Sequence, residues 1–560
     1  MSPDGEPDAD RVVVIGAGPV GQTAALLLAR WGVPVTVLDA RPGRDPVGSK
    51  AICQQRDVLD VWEAVGAGRL IADEGVTWER ARTYYQDTEL FCLTFADRGR
   101  SPFPPFVNVS QTYTEQVLDE RIAAAPTIDV RWGHEVTAIN QDADGVTVTC
   151  RTDGGERQLR ASYLLACAGA RGDAVRRMLG VTFRGRSFDD QFLICDIRAD
   201  LGEWADERRF YFDPAWNPGR QVLIHPCPDS SYRIDWQVPA DFDLDRERRS
   251  GALDRRIRRV VGDRPYEVVW SSVYRFHARL VDRMRLGRVL LAGDCAHLVA
   301  PFGARGLNSG VQDAENAAWK IAFVLRGWAP RALLESYGTE RIAAAMENLT
   351  VTSATMDFLV PQDEAARRRR QDVLHAALTD PTVRGEVDSG RLAEPYWYVD
   401  SALTTPHPDR AFSGRPPRGE APPVVPGVLV PDAPIAIAGE SGVSRLREIV
   451  RDGVLVLTTG ATAMLDAVVD LARPAPVRVL AIPDIDPTGL LAGALEARAG
   501  EAMVIRPDGH LAAVVGNDDV AAVSAAVRRT LGLTLAPQAV VPPRAGEESL
   551  AGQRRPTTPL

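Results

Sequence analysis

The sequence predicts an α/β fold of two or three domains, and three observations carry that expectation. Val12-Val13-Val14-Ile15 is a continuous β-branched run, the pattern of a strand buried on both faces of a parallel sheet. A glycine-rich turn, an apolar helix from Gln22 to Trp31 and a second strand, Val35 to Leu38, complete a βαβ unit that ends at Asp39. At 560 residues the chain exceeds what one hydrophobic core usually organises.

Composition narrows the function classes. With 45% hydrophobic and 25% charged residues the chain is an ordinary globular one. A formal net charge of −10 argues against a nucleic-acid binder, which needs a basic face to neutralise phosphates. The run Arg367-Arg368-Arg369-Arg370 lies in a helical stretch beside Glu364 and Asp372 and reads as a solvated face. Seven scattered cysteines without a CxxC pair predict reduced, mostly buried thiols, and seven histidines without HxxxH spacing predict no metal site. The acidic start MSPDGEPDAD is unlike a signal peptide, and no apolar run approaches the roughly 20 residues that span a bilayer, so a cytoplasmic protein is expected.

In the first unit each glycine has its own task. Gly16 permits a tight exit from the strand, Gly18 lets backbone approach a pyrophosphate, and Gly21 lets the helix close on the sheet. Ala17 and Pro19 complete the turn, and the helix N-terminus offers unpaired N–H groups to phosphates. Asp39, with Arg41 just beyond it, stands about twenty residues after the first glycine, where a carboxylate accepts from ribose hydroxyls. The unit predicts a dinucleotide site without separating FAD from NAD.

Further along, Val146 to Thr149 and Tyr163 to Ala166 read as strands. Asp189 to Pro239 alternates apolar and polar residues with many aromatics, the pattern of an antiparallel sheet with one covered face. From Asp313 to Ala377 the period is helical, interrupted at Pro330 and Pro361. Prolines crowd the stretch from Thr405 to Pro434, read as a linker or extended strap. Val454 to Leu457 and Val477 to Ile482 read as short strands around a helix, and the end from Pro537 reads as a disordered tail.

The segment Arg288-Val289-Leu290-Leu291-Ala292-Gly293-Asp294-Cys295-Ala296-His297 is a buried strand ending in Gly-Asp. It runs on through Pro301, Gly303, Gly306, Leu307, Asn308, Ser309, Gly310, Asp313, Asn316, Trp319 and Lys320. Here the chain resembles the FAD-dependent aromatic hydroxylases, single-component flavoprotein monooxygenases of the para-hydroxybenzoate and phenol hydroxylase type. Within that group it looks most like the 3-(3-hydroxyphenyl)propionate hydroxylase branch and its polyketide-hydroxylase relatives, over about residues 11 to 400.

The resemblance implies a Rossmann-like FAD-binding domain (1–180 and 285–400) with an inserted antiparallel-sheet substrate domain (181–284). A Pro-rich linker (401–434), a C-terminal thioredoxin-like domain (425–535) and a tail (536–560) would follow. The thioredoxin-like part rests on the turn Ile505-Arg506-Pro507-Asp508-Gly509; lacking any cysteine after Cys295, it is expected to be structural or to support a homodimer.

For the cofactor the resemblance implies that Asp294 accepts from the ribityl chain. Gly306, Leu307 and Asn308 would open a helix toward the pyrimidine edge of the isoalloxazine, with Pro301 close to the ring. Lys50 and Gln111 match cofactor-contacting positions, and Val136 would touch adenine through its backbone. One departure stands out: where the family has Asp-Gly and a serine, this chain has Ala168-Gly169 and Gly172, with Arg176 retained. That puts the choice and efficiency of NADH or NADPH in doubt.

The implied reaction hydroxylates a phenolic small molecule with NAD(P)H and O2 through a flavin C4a-hydroperoxide, in a site kept dry by the protein. Epoxidation, Baeyer–Villiger oxidation, dehydrogenation and non-catalytic FAD binding are the alternatives. No catalytic base is assigned; His225, Tyr232 and Arg233 are candidate substrate contacts, with Tyr274 and His277 further candidates by location.

Overall fold

The computed structural model describes residues 10–45, 51–95, 101–416, 422–462 and 465–535. Lys50 and the tail 536–560 lie outside the described residues. The βαβ unit forms as expected, with strands Val12–Ile15 and Val35–Leu38 around helix Pro19–Arg30. It sits in a six-stranded sheet in the order Arg285–Leu286, Val289–Leu291, Tyr163–Ala166, Val12–Ile15, Val35–Leu38, Ile128–Arg131. All neighbours in it run parallel except the Arg285–Leu286 edge. Every residue of Val12–Ile15, Val35–Leu38 and Val289–Leu291 is buried, which is why these strands carry no polar alternation.

Helix Pro19–Arg30 packs against the 21-residue helix Arg305–Leu325, with Val20 set against Gly310. A Cβ on Gly310 would lie 2.6 Å from a Val20 methyl, and one on Gly293 would lie 3.1 Å from it. The helical stretch ending near 377 resolves into Arg305–Leu325, Glu335–Leu359 and Glu364–Thr379, with breaks beside Pro330 and Pro361 as predicted. The arginine run is only partly a solvated face. Arg367, Arg368 and Arg369 are exposed, but Arg370 turns inward, is buried and holds Asp213 at 2.6 and 3.0 Å.

An eight-stranded sheet forms the second layer. Its order is His297–Leu298, Tyr266–Val281, Phe183–Ala199, Ser231–Val238, Gln221–Cys227, Glu207–Phe212, Arg80–Tyr85, Thr88–Thr94. Its centre is the antiparallel sheet expected from Asp189 to Pro239. Four of its strands come from elsewhere: Tyr266–Val281 and His297–Leu298 follow the region, and hairpin Arg80–Thr94 precedes it by about a hundred residues and joins Glu207–Phe212 in a parallel pairing. One face, with Ile197, Ile234, Trp236 and Val222, is covered by helices Leu244–Arg249 and Ala252–Val261. The other face, with Phe192, Phe210, Phe212 and Leu223, packs on Phe302 and on helices Glu335–Leu359 and Glu364–Thr379.

The C-terminal part is a four-stranded sheet ordered Val477–Ala481, Val454–Thr458, Glu501–Ile505, Leu511–Gly516. The first two strands are parallel around helix Asp466–Ala472; the other pairs are antiparallel, and helix Val520–Thr530 follows. The proline-rich stretch is a strap along the Leu511 strand. Leu511 donates to Val428 O at 2.9 Å, Gly427 to Leu511 O at 2.6 Å, and Thr405 to Ala512 O at 2.8 Å.

The predicted turn at Arg506 to Gly509 is present, closed by Gly509 N–H donating to Arg506 O at 2.9 Å with Gly509 at φ +75°. Its side chains are not solvated. Arg506 and Asp508 are buried against the helices of the first layer, where Arg506 reaches Glu340 at 2.7 and 3.0 Å and Asp508 at 2.6 Å. Lys320 donates to the same Glu340 at 2.6 Å. Burial opposes ionisation of Glu340, yet Arg506 and Lys320 overcome it and hold the carboxyl far below its usual range.

Five of the seven cysteines are buried and two partly so, all as free thiols. Among the described residues no helix is long and apolar enough to cross a membrane, and no cluster of three metal ligands occurs.

Candidate functional site

The glycine turn shows three different constraints. Gly16 sits at φ +102°, and a Cβ there would lie 2.3 Å from Cys167 O. A Cβ on Gly21 would lie 1.9 Å from Gly16 O, so only glycine lets the helix close on the strand end. A Cβ on Gly18 would meet nothing within 4 Å. Gly16 and Gly21 are therefore required by the fold, whereas Gly18 faces open space at the start of helix Pro19–Arg30.

Asp39 closes on this turn as expected from its position. The Ala17 N–H donates to its Oδ2 at 2.9 Å, and Arg41 supplies its backbone N–H and a two-pronged guanidinium at 2.8 and 3.0 Å. Burial opposes ionisation, but these donors outweigh it and hold the carboxyl below its ordinary value. All four acceptor directions of the carboxylate are thus occupied. A ribose hydroxyl can reach it only when the half-exposed Arg41 guanidinium yields.

Gln111 opens helix Gln111–Ala123, accepting from Ala51 N–H at 3.0 Å and donating to Glu115 at 2.8 Å. Val136 is buried on the strand that leaves His134, whose N–H donates to Asp39 O at 2.9 Å. Val136 therefore borders the end of the second strand.

Asp294 follows Gly293, which is at φ +60°, and is exposed at the end of Val289–Leu291. That strand is two places from Val12–Ile15 in the sheet, so the two strand ends point the same way. Asp313, one helix over, explains the shape of the Asp294 turn. It accepts from Gly293 N–H at 2.9 Å, from His297 Nε2 at 2.7 Å and from Arg341 at 2.6 Å. Burial raises its carboxyl, but Arg341, His297 and the Gly293 N–H bring it below the ordinary range. Sequence reasoning placed Asp313 in the motif without a role; its role is to fix the loop that presents Asp294.

The loop from Pro301 leads into helix Arg305–Leu325. Pro301 is exposed, and a Cβ on Gly303 would lie 2.1 Å from Arg391 O. Gly306 and Leu307 keep accessible surface at the helix start. The Asn308 side chain does not: it donates to Cys53 O at 3.0 Å and accepts from Gln55 N–H at 3.0 Å. Its side chain is a clamp on strand Cys53–Gln55, which leaves only its backbone to face a ligand.

Where the family resemblance breaks, Gly172 has a physical reason. A Cβ there would lie 3.0 Å from Cys295 Sγ and 3.2 Å from Ala168 Cβ. Arg176 is buried and donates to Cys295 O, Ala170 O and Asp173, with its guanidinium 4.2 Å from the Phe183 ring centre. It holds the Ala170 loop to the Asp294 turn.

The inner face of the eight-stranded sheet lies over these loops. Phe302 meets Phe192, Phe276 and Phe210 at 5.5, 6.1 and 6.3 Å between ring centres. Asn108 ties strand Phe106–Asn108 to this sheet by donating to Pro226 O at 2.8 Å.

The alternation of a strand decides which candidates face inward. His225 and Arg233 stand opposite each other in register and share the inner face with Asp196 and Leu223. Tyr232, one residue off, points the other way. Its hydroxyl donates to Leu201 O at 3.1 Å within the outer core, so it is removed from the substrate side. Tyr274 lies on the inner side, opposite Phe192 and near Trp270, whereas His277 pairs with Ser187 at 2.8 Å.

Asp235, not singled out from sequence, is also inward. It faces Leu223 in register and lies two residues from Arg233. Burial raises its carboxyl to about 7, with Arg233 and Arg208 pulling down and Asp196 pushing up. His225 is kept well below its ordinary value by burial and by Arg208 and Arg233, hence neutral. A solvent-open groove of about 470 Å³ beside Phe242 and Arg248 lies away from these residues.

A family model described as an FAD binding domain matches residues 10–352. A 3-(3-hydroxy-phenyl)propionate/3-hydroxycinnamic acid hydroxylase from Mycobacterium sp. (strain KMS) is 29% identical over 398 residues, 70% of this chain and 68% of its own. A 6-methylpretetramide 4-monooxygenase from Streptomyces rimosus is 28% identical over 580 residues, 99% of each chain. The crystal structure of the flavin-dependent monooxygenase PieE in complex with FAD and substrate shares the fold, with a TM-score of 0.80 at 24% identity over 94% of this chain and 100% of the other.

Proposed function

The chain belongs to the FAD-binding-domain family of aromatic-ring monooxygenases, and from that premise we propose that it hydroxylates a phenolic compound held between the Asp294–Asn308 loops and the inner face of the eight-stranded sheet. It is an FAD-dependent monooxygenase; the substrate class and the residue roles are the proposal. One observation carries it. Gly18 opens on free space, Asp294 is exposed and the start of helix Arg305–Leu325 is accessible, and the loop between the last two carries Phe302 into contact with Phe192, Phe210 and Phe276 of the sheet's inner face.

The residues fit FAD. Gly16, Ala17, Gly18, Pro19 and Gly21 would hold the pyrophosphate, since Gly18 leaves the space that a Cβ would fill. Asp39 and Arg41 would meet the ribose, Val136 the adenine, and Gln111 and Lys50 the middle of the cofactor. Asp294 would take the ribityl chain. Pro301 and the backbone of Gly306, Leu307 and Asn308 would face the ring, where the helix N-terminus favours negative charge. When bound, FAD supplies hydride acceptance from NAD(P)H and activation of O2.

The protein's own part is to exclude water and to place the ring. Phe302 plugs the gap between loop and sheet, and Trp78 stacks on Phe106 at 5.5 Å on the same side. Arg233 is locked by Asp196 at 2.7 and 2.9 Å, which fixes the orientation of its guanidinium on the inner face. The purified protein is expected to be yellow and to oxidise NAD(P)H faster when phenols or phenolic acids are added. Under labelled dioxygen one labelled atom should enter the product; an unlabelled product would overturn hydroxylation, and a protein that refuses FAD would overturn the whole reading.

A further inference from the structure

Asp235 and His225 occupy adjacent strands of the sheet's inner face, two residue pairs apart along the ladder. Their flanking residues on the other face, Ile224, Ile234 and Trp236, are fully or almost fully buried. Asp235 and His225 are partly exposed as residues, but Asp235 Oδ1 and His225 Nδ1 are themselves shut off from solvent. Asp235 Oδ1 and His225 Nδ1 find no hydrogen-bond partner. A buried polar atom without a partner is costly to keep, so two of them on one face point to a polar guest.

The charges around the pair are not distributed evenly. Arg233 spends its guanidinium on Asp196 in a two-pronged pair, which leaves Asp235 beside a cation that is already balanced. Arg208 faces both Asp235 and His225 from strand Glu207–Phe212 and donates to Ser389 O at 3.2 Å. Cys227 stands beyond His225 on its strand and Cys53 on the facing strand; both thiols are pushed up to about 12 by burial and stay protonated. Tyr274 lies further along the same face. None of these neighbours gives up a proton near neutrality, so Asp235 is the titrating member.

Resting on the hydroxylase reading, we propose that Asp235 and His225 grip a ring hydroxyl of the substrate and that Asp235 is the catalytic residue that takes its proton. In this step the O–H bond breaks, the proton goes to a carboxylate oxygen of Asp235, and the electron pair stays on the substrate oxygen. The ring becomes electron-rich at the carbon to be hydroxylated. After oxygen insertion that carbon loses its hydrogen as a proton to water, and Asp235 returns its own to the substrate oxygen, so the residue ends as it began. His225, neutral, accepts or donates one hydrogen bond and positions the oxygen. An acceptor whose proton affinity lies near the working pH is the efficient choice for such a transfer.

The test uses the FAD-loaded full chain and a nitrophenol as probe, because its phenolate is coloured and its ionisation is read without turnover. Wild type is expected to bind the probe as phenolate at a pH at least one unit below that at which the free probe ionises. In Asp235→Asn the bound probe should ionise no earlier than the free one, and kcat/KM for an accepted phenol should fall about a hundredfold near pH 7. His225→Gln should weaken probe binding while leaving the ionisation pH in place. An identical phenolate signal in wild type and Asp235→Asn would overturn the proposal. Retained FAD in all three proteins separates that result from failure of the hydroxylase reading, in which wild type itself would hold no flavin or bind no phenol.

Discussion

Arg506→Met should loosen the C-terminal sheet from the cofactor layer, and the structure sets the size of the effect. Arg506 is wholly buried and donates four hydrogen bonds, two to Glu340 and two to Asp508. It also lies 4.7 Å from the Tyr398 ring centre. Methionine fills similar volume but leaves Glu340 with Lys320 and Asp508 with His510, a net buried negative charge. Removing one partner of a buried ion pair costs about 3–5 kcal/mol. At about 2–4 °C per kcal/mol for a unit of 150–250 residues, the melting temperature should fall by about 6–20 °C. Differential scanning calorimetry measures this directly. Trp319, whose indole donates to Asp508 at 3.2 Å, reports the same event by fluorescence. The double variant Arg506→Met/Glu340→Gln should lose less than the sum of the single changes, because both act on one network. A shift under 2 °C, or strict additivity, would refute the idea that this turn anchors the two layers.

Three further outcomes follow from the geometry. Gly18→Ala should fold with near-normal melting yet lose FAD affinity by at least about tenfold, whereas Gly21→Ala should fail to accumulate as folded protein; titration with FAD and circular dichroism distinguish them. Tyr232→Phe should cost about 1 kcal/mol in urea melts through loss of the bond to Leu201 O and leave kcat unchanged, since its ring is on the outer side of the sheet. Glu340 has a folded-state proton affinity held below its ordinary 4.5, so its contribution is complete above about pH 4.5 and is lost as the pH falls further; Trp319 fluorescence against pH should show the C-terminal sheet parting before the rest unfolds.

The strongest local signals were legible in the sequence because they come from the chain's own covalent neighbours. Val12–Ile15, Val35–Leu38 and Asp39 stand where the glycine spacing put them, and the helical breaks fall beside Pro330 and Pro361. What escaped depends on pairing across distance. The parallel contact of Arg80–Tyr85 with Glu207–Phe212 joins segments over a hundred residues apart and leaves no periodic trace. Tyr232 and Arg233 look alike as letters, and only the register with His225 decides which one is on the inner face. Asp235 was invisible for the same reason, since its environment is made by Asp196, Arg208 and His225 on three other strands. Asn308 and Asp313 carry the motif's specificity but act as a clamp and a loop anchor, roles that need the third dimension to appear.

The strap beside the Leu511 strand has a bearing on how the protein behaves in a crowded solution. A terminal strand with free amides invites pairing with another molecule, and such pairing propagates into aggregates. Here Val428 and Leu511 satisfy those amides internally, and Pro422, Pro423 and Pro426 have no N–H to offer in turn. Cutting the strap would uncover a sticky border, so its prolines act less as a tether between parts than as a selvedge that keeps one molecule from being stitched to the next.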